Sequence, residues 1–227
     1  FHIMWWIVAQ KTGASAYNLK DFMGFGSYET AWLWLHKLRR AMVREGREKL
    51  TGTVEVDETY IGGEEIGTGK QGRGAEEKSL VVVATECVGK QIGRVRFKII
   101  PDATKENLLQ FIEENVEHGS TLVTDGWSGY AFLSKSKEYE HIAKVVSKSG
   151  KQAHELLPHV HMVDSLVKRW INVTHQGKIS PKHLEYYLDE FAFRFNRKLS
   201  THRGLLFYRL MQQAVTTTPV TYMDVIK

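Results

Sequence analysis

An ordered series of strand-like and helix-like segments, with an aspartate closing two of the strands, most constrains how this chain can fold. Runs rich in β-branched residues predict strands, and apolar residues spaced three or four apart predict helices. The order is strand, strand, strand, helix, strand, helix, over 53–61, 79–87, 94–100, 105–116, 120–124 and 160–171. Asp57 ends the run VEVD, and Asp125 ends the run STLVTD. This order predicts an α/β protein with a mixed sheet flanked by helices.

The positions of Asp57 and Asp125 predict a shared site. Acids on the first and fourth strands of this order resemble the topology of RNase H-like nucleotidyl transferases, in which those two strands lie side by side. Two such carboxylates and a third ligand on a later helix can hold two divalent metal ions, which suits hydrolysis or transfer of a phosphodiester. Glu55 shares the strand face of Asp57, so either acid can face the site. Taken alone, Asp57 fits a solvated strand end and Asp125 an ordinary Asp-Gly turn.

His161 and Lys168 are seven residues apart in the last predicted helix. Seven residues miss two full turns by about 20°, so both side chains lie on one helical face. His161 is therefore expected as the third metal ligand, and Lys168 as a contact to a DNA phosphate. Imidazole is acceptable to Mn²⁺ and less natural for Mg²⁺, which prefers oxygen. Asp164, one turn after His161, is an alternative third ligand with an oxygen donor.

Residues 1 to about 46 are predicted to be helical. A short helix over Ser15–Met23 is followed by a glycine-containing turn, and Ser27 can cap the next helix. One apolar stripe marks the buried side of that helix: Ala31, Leu35, Leu38 and Met42. The same helix carries four basic residues: Lys37, Arg39, Arg40 and Arg44. The pattern predicts a DNA-binding helix-turn-helix with basic residues for phosphates, and a plain helical hairpin with a solvated basic face explains it equally well.

Six motifs together resemble a known family. They are VEVDETYIGG, GKQGRG, TDGWSGY, LPHVHMVDSLVKRW, ISPKHLEYYLDEFAFRFNR and QKTGASAYNLKDFMGFGSYETAWLWLHKLRRAM. They resemble bacterial insertion-sequence transposases of the ISXO-like DDE group, and the resemblance covers essentially the whole chain. It implies an RNase H-like catalytic domain after a helix-turn-helix, two Mg²⁺ or Mn²⁺ ions, and DNA strand cleavage and strand transfer at insertion-sequence ends.

The resemblance also implies roles for particular residues. Asp57, Asp125 and His161 would be the catalytic metal ligands, with Lys168 as a fourth catalytic residue. The third position of the family is commonly Glu, with Asn or His in some branches, and a basic residue follows seven positions later. Members usually begin with a cysteine-rich zinc ribbon. This chain begins at Phe1 without one, so we expect an N-terminally truncated member.

DNA is the partner that the helix-turn-helix pattern and the family resemblance imply. The formal charge of +5 and the pI near 9.1 fit a nucleic-acid binder, although many unrelated proteins share them. Lys70 and Arg73, in the glycine-rich loop GTGKQGRG, and Lys168 and Arg169 add to the basic residues of the second helix. The expected ligand is double-stranded DNA, at transposon ends and target, bound by a homo-oligomer. We expect a bacterial cytoplasmic protein associated with the nucleoid.

Two segments are expected along the chain: a helix-turn-helix DNA-binding segment over 1–50 and an RNase H-like catalytic domain with C-terminal helices over 51–227. Ser180 and Pro181 are placed to begin a last long helix. The apolar start FHIMWWIVA is too short to cross a bilayer, so no membrane association is expected.

Three alternatives to this interpretation remain at the level of sequence. A non-catalytic DNA-binding relic or a co-opted transposase would keep the basic helix and lose cleavage. A nuclease of RNase H type would act on RNA–DNA hybrids. A zinc cluster would use His154, His159 and His161, because a single cysteine, Cys87, excludes a multi-cysteine zinc site.

Overall fold

The computed structural model describes residues 1–44, 46–62, 78–145, 150, 152–175 and 179–226, without the side chains of residues 153 and 154. The predicted DNA contacts Lys70 and Arg73 lie outside the described residues.

Three helices precede a sheet, and further helices follow it. In chain order the elements are α1 (His2–Ala9), α2 (Ala16–Met23), α3 (Tyr28–Arg40), β1 (Thr53–Ile61), β2 (Ser79–Val88), β3 (Gln91–Ile100), α4 (Lys105–Asn115), β4 (Thr121–Asp125), a 3-10 helix (Ser128–Lys135), β5 (Glu140–Lys144), α5 (Ala153–Leu156), α6 (Pro158–His175), α7 (Pro181–Phe195), α8 (Arg203–Thr216) and α9 (Tyr222–Ile226). All four predicted strands and the predicted helices are present. The structure adds β5, and α8 and α9 follow the helix that was expected to be the last.

The five strands form one mixed sheet in the order β3-β2-β1-β4-β5. β1 pairs antiparallel with β2, and β2 with β3, whereas β1, β4 and β5 run parallel. The first and fourth strands are therefore neighbours, as the predicted topology requires. The prediction of an RNase H-like mixed sheet flanked by helices is confirmed.

Strand alternation divides the core into two layers. Successive side chains of β1 point to opposite faces, so Val54 and Val56 enter the cluster built with α4 and the 3-10 helix. Asp57 lies on the other face, where α6 and α7 pack against the sheet through Val163, Val167 and other apolar residues. The face that carries Asp57 is therefore covered by the helix that carries His161.

Helices α2 and α3 are joined by a short turn. Gly24 ends α2 in the left-handed conformation with φ 66°, and the Ser27 hydroxyl accepts a hydrogen bond from the Thr30 amide at 3.1 Å. The predicted apolar stripe of α3 is buried. It packs in one cluster with Phe193 of α7 and Leu206 of α8, so the N-terminal helices and the C-terminal helices share a core.

A buried ion-pair centre lies where α3 meets α7. Glu190 accepts hydrogen bonds from Arg39 Nε at 2.8 Å, Arg194 Nε at 2.8 Å and the Ala14 amide at 3.1 Å. Burial alone would raise the pKa of Glu190, but Arg194 and Arg39 outweigh burial and lower the pKa to about 2. The expectation that Arg39 contacts DNA phosphates is therefore wrong. Its side chain follows Leu35 by one helical turn, is buried, and is neutralised within the protein.

Candidate active site

Asp57 lies in the middle of the sheet on the face covered by α6. Its Oδ2 atom is 3.8 Å from Nε2 of His161. Burial raises the pKa of Asp57 to about 6; His161 opposes this shift, while Asp125 and Asp164 add to it. Three groups from two other elements thus act electrostatically on Asp57, and two of the three are carboxylates.

Asp125 is the last residue of β4. Its Oδ1 accepts a hydrogen bond from the Trp127 amide at 3.0 Å, which makes a tight turn after the strand. Gly126 is required by close approach, because an added Cβ would lie 2.5 Å from Cγ2 of Val145. The turn directs the chain into the 3-10 helix and leaves the Asp125 carboxylate partly exposed at the end of β4.

Glu55, on the same strand face as Asp57, has a different task. Its Oε2 accepts hydrogen bonds from the amides of His159 and Val160, both at 2.8 Å, at the start of α6. The first amides of a helix have no partner within the helix and carry partial positive charge, so a buried carboxylate there is favourable. Glu55 thereby fixes the beginning of α6 against β1 and positions His161, two residues further on, beside Asp57.

Lys168 is held inside the site. Its Nζ donates to Thr59 Oγ1 at 2.6 Å and to Asp164 Oδ2 at 2.9 Å, and its side chain is 41% exposed. The other oxygen of Asp164, Oδ1, is buried without a hydrogen-bond partner among the described residues. Asp164 therefore has one oxygen bound to a cation and a second one free to receive another.

Glu58 and Tyr130 lie behind Asp57, on the opposite face of β1. Burial, and then the charge of Asp57, raises the pKa of Glu58 to about 7. Burial also raises the pKa of Tyr130 well above its ordinary value. The sequence-based prediction missed this pair. The adjacency of Glu58 to Asp57 was its only sequence signal, because Tyr130 comes from the 3-10 helix.

A second set of ligand atoms lies beside the site. Glu55, Cys87 and His159 each offer one atom, and these atoms lie within 4.8 Å of one another. Both oxygens of Glu55 are already engaged, since His159 Nδ1 lies 3.0 Å from Oε1. His159 faces Glu55 while His161 faces Asp57, so these two histidines engage different carboxylates. The side chain of His154, the third member of the zinc alternative, lies outside the described residues.

The residues around Asp57 fit a hard divalent cation. Asp57, Asp125 and Asp164 offer oxygen donors, their mutual repulsion favours a bound positive charge, and Asp164 Oδ1 lacks a partner among the described residues. Within the described part of the chain, the Glu55, Cys87 and His159 set is the only one with three ligand atoms inside 4.8 Å, so the atoms around Asp57 stand further apart. Carboxylates that repel one another are expected to draw together only around a cation.

The predicted phosphate contacts differ in exposure. Arg40, Arg44 and Arg169 are exposed, and Lys37 is half-buried. Arg40 also lies 3.8 Å from Glu185 in an exposed pair, an arrangement that contributes little to stability. These side chains are accessible to a ligand, in contrast to Arg39.

A comparison of the sequence with protein families identifies the chain. The profile of the ISXO2-like transposase domain matches residues 49–196, which is well over half of the sequence. The chain belongs to the ISXO2-like transposase family. The match begins just before β1 and ends just after α7, so the transposase domain contains every residue of the site around Asp57. No curated protein matches the chain significantly.

The solved structures with some similarity to this chain include three chains from transposition and integration assemblies. A chain of the simian T-cell lymphotropic virus intasome in complex with PP2A regulatory subunit B56 gamma is 12% identical, with TM-score 0.41, covering 86% of this chain and 74% of that one. A chain of the pre-cleavage Mos1 transpososome is 13% identical, with TM-score 0.40, covering 94% and 77%. A chain of the Mos1 strand transfer complex is 11% identical, with TM-score 0.39, covering 80% and 59%.

The helices give no sign of a transmembrane segment. Over the described residues, none combines the length and the apolar character that crossing a bilayer requires.

Proposed function

We propose that this transposase catalyses metal-dependent cleavage and strand transfer of double-stranded DNA, with Asp57, Asp125 and His161 as metal ligands. One observation carries the proposal. The carboxylate of Asp57 is 3.8 Å from His161, and its pKa is raised by burial and further by Asp125 and Asp164. A half-buried cluster of carboxylates in which only Asp164 has a lysine partner among the described residues is typical of a functional site rather than a structural one.

The residues of the site have separable roles in this proposal. When bound, two divalent ions would activate the attacking oxygen and stabilise the leaving oxygen. Asp57 and Asp125 supply oxygen donors from two parallel neighbouring strands, which hold the donors in a fixed relation. Lys168, already directed into the site by Thr59 and Asp164, is placed to bind a phosphate oxygen and offset its charge.

The DNA is bound outside this site as well. We assign residues 1–50 to a DNA-binding segment of helix-turn-helix type and residues 51–227 to the catalytic domain. The accessible basic side chains Lys37, Arg40, Arg44 and Arg169 are assigned to phosphates. The partners are transposon ends and target DNA, the working form is a homo-oligomer on DNA, and the location is the bacterial cytoplasm at the nucleoid.

The test is strand cleavage of a duplex that carries the element's end, with Mg²⁺ and with Mn²⁺. Asp57→Ala and Asp125→Ala should abolish cleavage and change the Kd for DNA less than about threefold, because phosphate contacts dominate affinity. Asp21→Ala removes an exposed carboxylate of α2 and serves as the control, with cleavage unchanged. Cleavage at the wild-type rate by either site variant would remove Asp57 or Asp125 from the ligand set.

The third ligand is tested in the same assay with His161→Ala, Asp164→Ala and His161→Glu. We expect His161→Ala to abolish cleavage, and His161→Glu to retain it and to favour Mg²⁺, since Glu supplies an oxygen donor. Loss of cleavage in Asp164→Ala alone would transfer the role to Asp164. A wild-type protein that binds DNA and cleaves with neither metal would support the non-catalytic DNA-binding relic instead.

A further inference from the structure

A cavity lined by arginines lies at the edge of the sheet, away from Asp57. It has a volume of about 280 Å³ and forms where β3, the connection after α3, the end of α7 and helix α8 meet. β3 is the edge strand, and β2 separates it from β1. Six arginines line this arginine cavity: Arg44, Arg47, Arg94, Arg96, Arg197 and Arg209. None of them belongs to the site around Asp57.

Most of this positive charge has no carboxylate partner in the described part of the chain. Arg94 is the exception, since it forms ion pairs with Glu86 and Glu48. Arg96 donates instead to the carbonyl oxygens of Val95 and Glu48, at 2.9 Å and 2.7 Å, which satisfies hydrogen bonds without cancelling charge. Arg197 likewise donates to a carbonyl oxygen, that of Phe193, at 3.1 Å.

One further acid, Asp189, lines the cavity. Burial, followed by the charge of Glu185, raises the pKa of Asp189 to about 7, although Arg40 and Arg47 oppose the shift. At neutral pH this carboxylate is therefore ionised only in part. It offsets less than one of the positive charges around it.

The neighbouring positive charges lower the pKa values of two of these arginines. Burial, followed by the charges of Arg47 and Arg94, lowers the pKa of Arg96 to about 10. Burial, followed by Arg209 and Arg44, lowers the pKa of Arg197 to about 10. A fold that gathers guanidinium groups at such a cost, with too few acids among the described residues to balance them, is arranged to receive an anion.

Unpartnered polar atoms give a second, independent indication. Gln213 lines the cavity and is 4% exposed, yet neither its Nε2 nor its Oε1 has a hydrogen-bond partner among the described residues. Arg96 is also 4% exposed, and its Nε is unpartnered in the same way. Buried polar groups in native proteins normally have partners, so Gln213 and Arg96 leave hydrogen-bonding capacity unused in the wall of the cavity.

The shape of the surroundings indicates more than one phosphate group. A neighbouring groove of about 520 Å³ shares Arg44 and Arg47 with the cavity. Further along this groove, Glu185 and Glu114 pair with Arg40 and Lys98, so the unbalanced positive charge is on the side of the cavity. Guanidinium groups bind phosphate through paired N–H donors, and a row of them matches consecutive phosphates. A single small anion would leave most of this row unused.

We propose that the arginine cavity is a binding site for consecutive phosphate groups, supplied in the working protein by the DNA backbone. The choice of DNA as the source rests on the proposed transposase function, whereas the choice of phosphate rests on the cavity alone. The site would hold DNA at the far edge of the sheet, remote from the cleavage residues, and it would contribute affinity and register without sequence specificity.

The experiment compares wild type, the double variant Arg197→Gln/Arg209→Gln and the control Lys105→Gln/Lys135→Gln. The control removes the same charge from exposed lysines of α4 and of the 3-10 helix. Sodium triphosphate at constant ionic strength should raise the Tm of wild type and control and leave that of the double variant unchanged. The slope of log K for DNA against log salt should become shallower by about 0.9 for each phosphate that the double variant no longer neutralises, and it should stay at the wild-type value in the control.

Each outcome bears on a distinct claim. If the double variant unfolds, both measurements are made on Arg209→Gln alone, whose position is exposed. The effects should then be in the same direction and smaller. A triphosphate response with an unchanged salt slope would overturn DNA as the source and leave free phosphates. No triphosphate response and equal slopes in all three proteins would overturn the cavity as a site. Absence of metal-dependent cleavage in wild type, with the cavity's responses intact, would overturn the proposed function and not the cavity.

Discussion

Glu190 is a buried carboxylate and Asp57 a half-buried one, and their surroundings act on them in opposite ways. Two guanidinium groups surround Glu190 and lower its pKa to about 2, so its charge stabilises the fold. Asp57 has other carboxylates nearby, and burial raises its pKa to about 6, so its charge destabilises the fold. The first acid is neutralised from within the protein. The second has no such neutralisation, and in the proposed function a bound cation supplies it.

The largest effect is expected from Glu190→Gln. The variant leaves Arg39 and Arg194 buried without a counter-charge, so the free energy of unfolding should fall by roughly 3–5 kcal/mol. Urea denaturation at pH 7 measures it. Glu185→Gln is the matched control, because Glu185 lies on the same helix as Glu190 and forms an exposed pair with Arg40 of α3. It should change stability by less than about 0.5 kcal/mol. Equal losses of unfolding free energy in the two variants would show that Glu190 contributes no more to stability than an exposed ion pair does.

Asp57→Asn should act in the opposite direction. Because the folded pKa of about 6 exceeds the ordinary value of 3.8, ionisation of Asp57 destabilises the fold. The loss of stability builds up as the pH rises from 3.8 to 6 and is complete above 6. Removing the charge should therefore stabilise the protein at pH 8, by on the order of 1–3 kcal/mol. The gain should shrink as the pH falls through 6 and nearly vanish at pH 4. A gain that does not depend on pH would trace to packing rather than to charge.

Mn²⁺ is expected to bind beside Asp57, where carboxylates lack enough positive charge, and not beside Glu190, which two arginines already neutralise. Binding should therefore stabilise the folded protein through Asp57. At about ten times its Kd, a ligand specific to the folded state stabilises it by roughly 1.4 kcal/mol. We expect that rise in wild type, measured by thermal unfolding with Mn²⁺ against an equal ionic strength of NaCl. It should be absent in Asp57→Asn and present in Glu185→Gln. A rise of the same size in Asp57→Asn would place the ion elsewhere, with the Glu55, Cys87 and His159 set as the first candidate.

The fold was largely predictable because its signals are local. The strand limits of β1 were predicted correctly, since Thr53–Ile61 has β-branched residues throughout and glycines near both ends. β5 was missed because EHIAK has no apolar alternation of its own. Its strand conformation comes from parallel pairing with β4, a long-range contact that its own sequence does not encode.

The site was predictable only in part for the same reason. The neighbouring first and fourth strands bring Asp57 to the region of Asp125, and topology alone implied that. Strand alternation placed Glu55 on the same face as Asp57. It could not show that the Glu55 carboxylate accepts hydrogen bonds from the first amides of α6. The burial of Arg39 depends on Glu190, 151 residues away, so its helix alone presented it as one more accessible cation.

The contact between Glu55 and the first turn of α6 has a consequence for how this site can change over time. The register of the helix is set at its first amides, by a residue that is not assigned to the chemistry. Position 161 therefore inherits its location whatever side chain occupies it. An imidazole, a carboxamide or a carboxylate can be exchanged at this position without a change in the register of the helix against the sheet. Under the proposed function, a single substitution at position 161 would then shift the preferred metal, while a change at Glu55 would remove the acceptor of the first amides of α6.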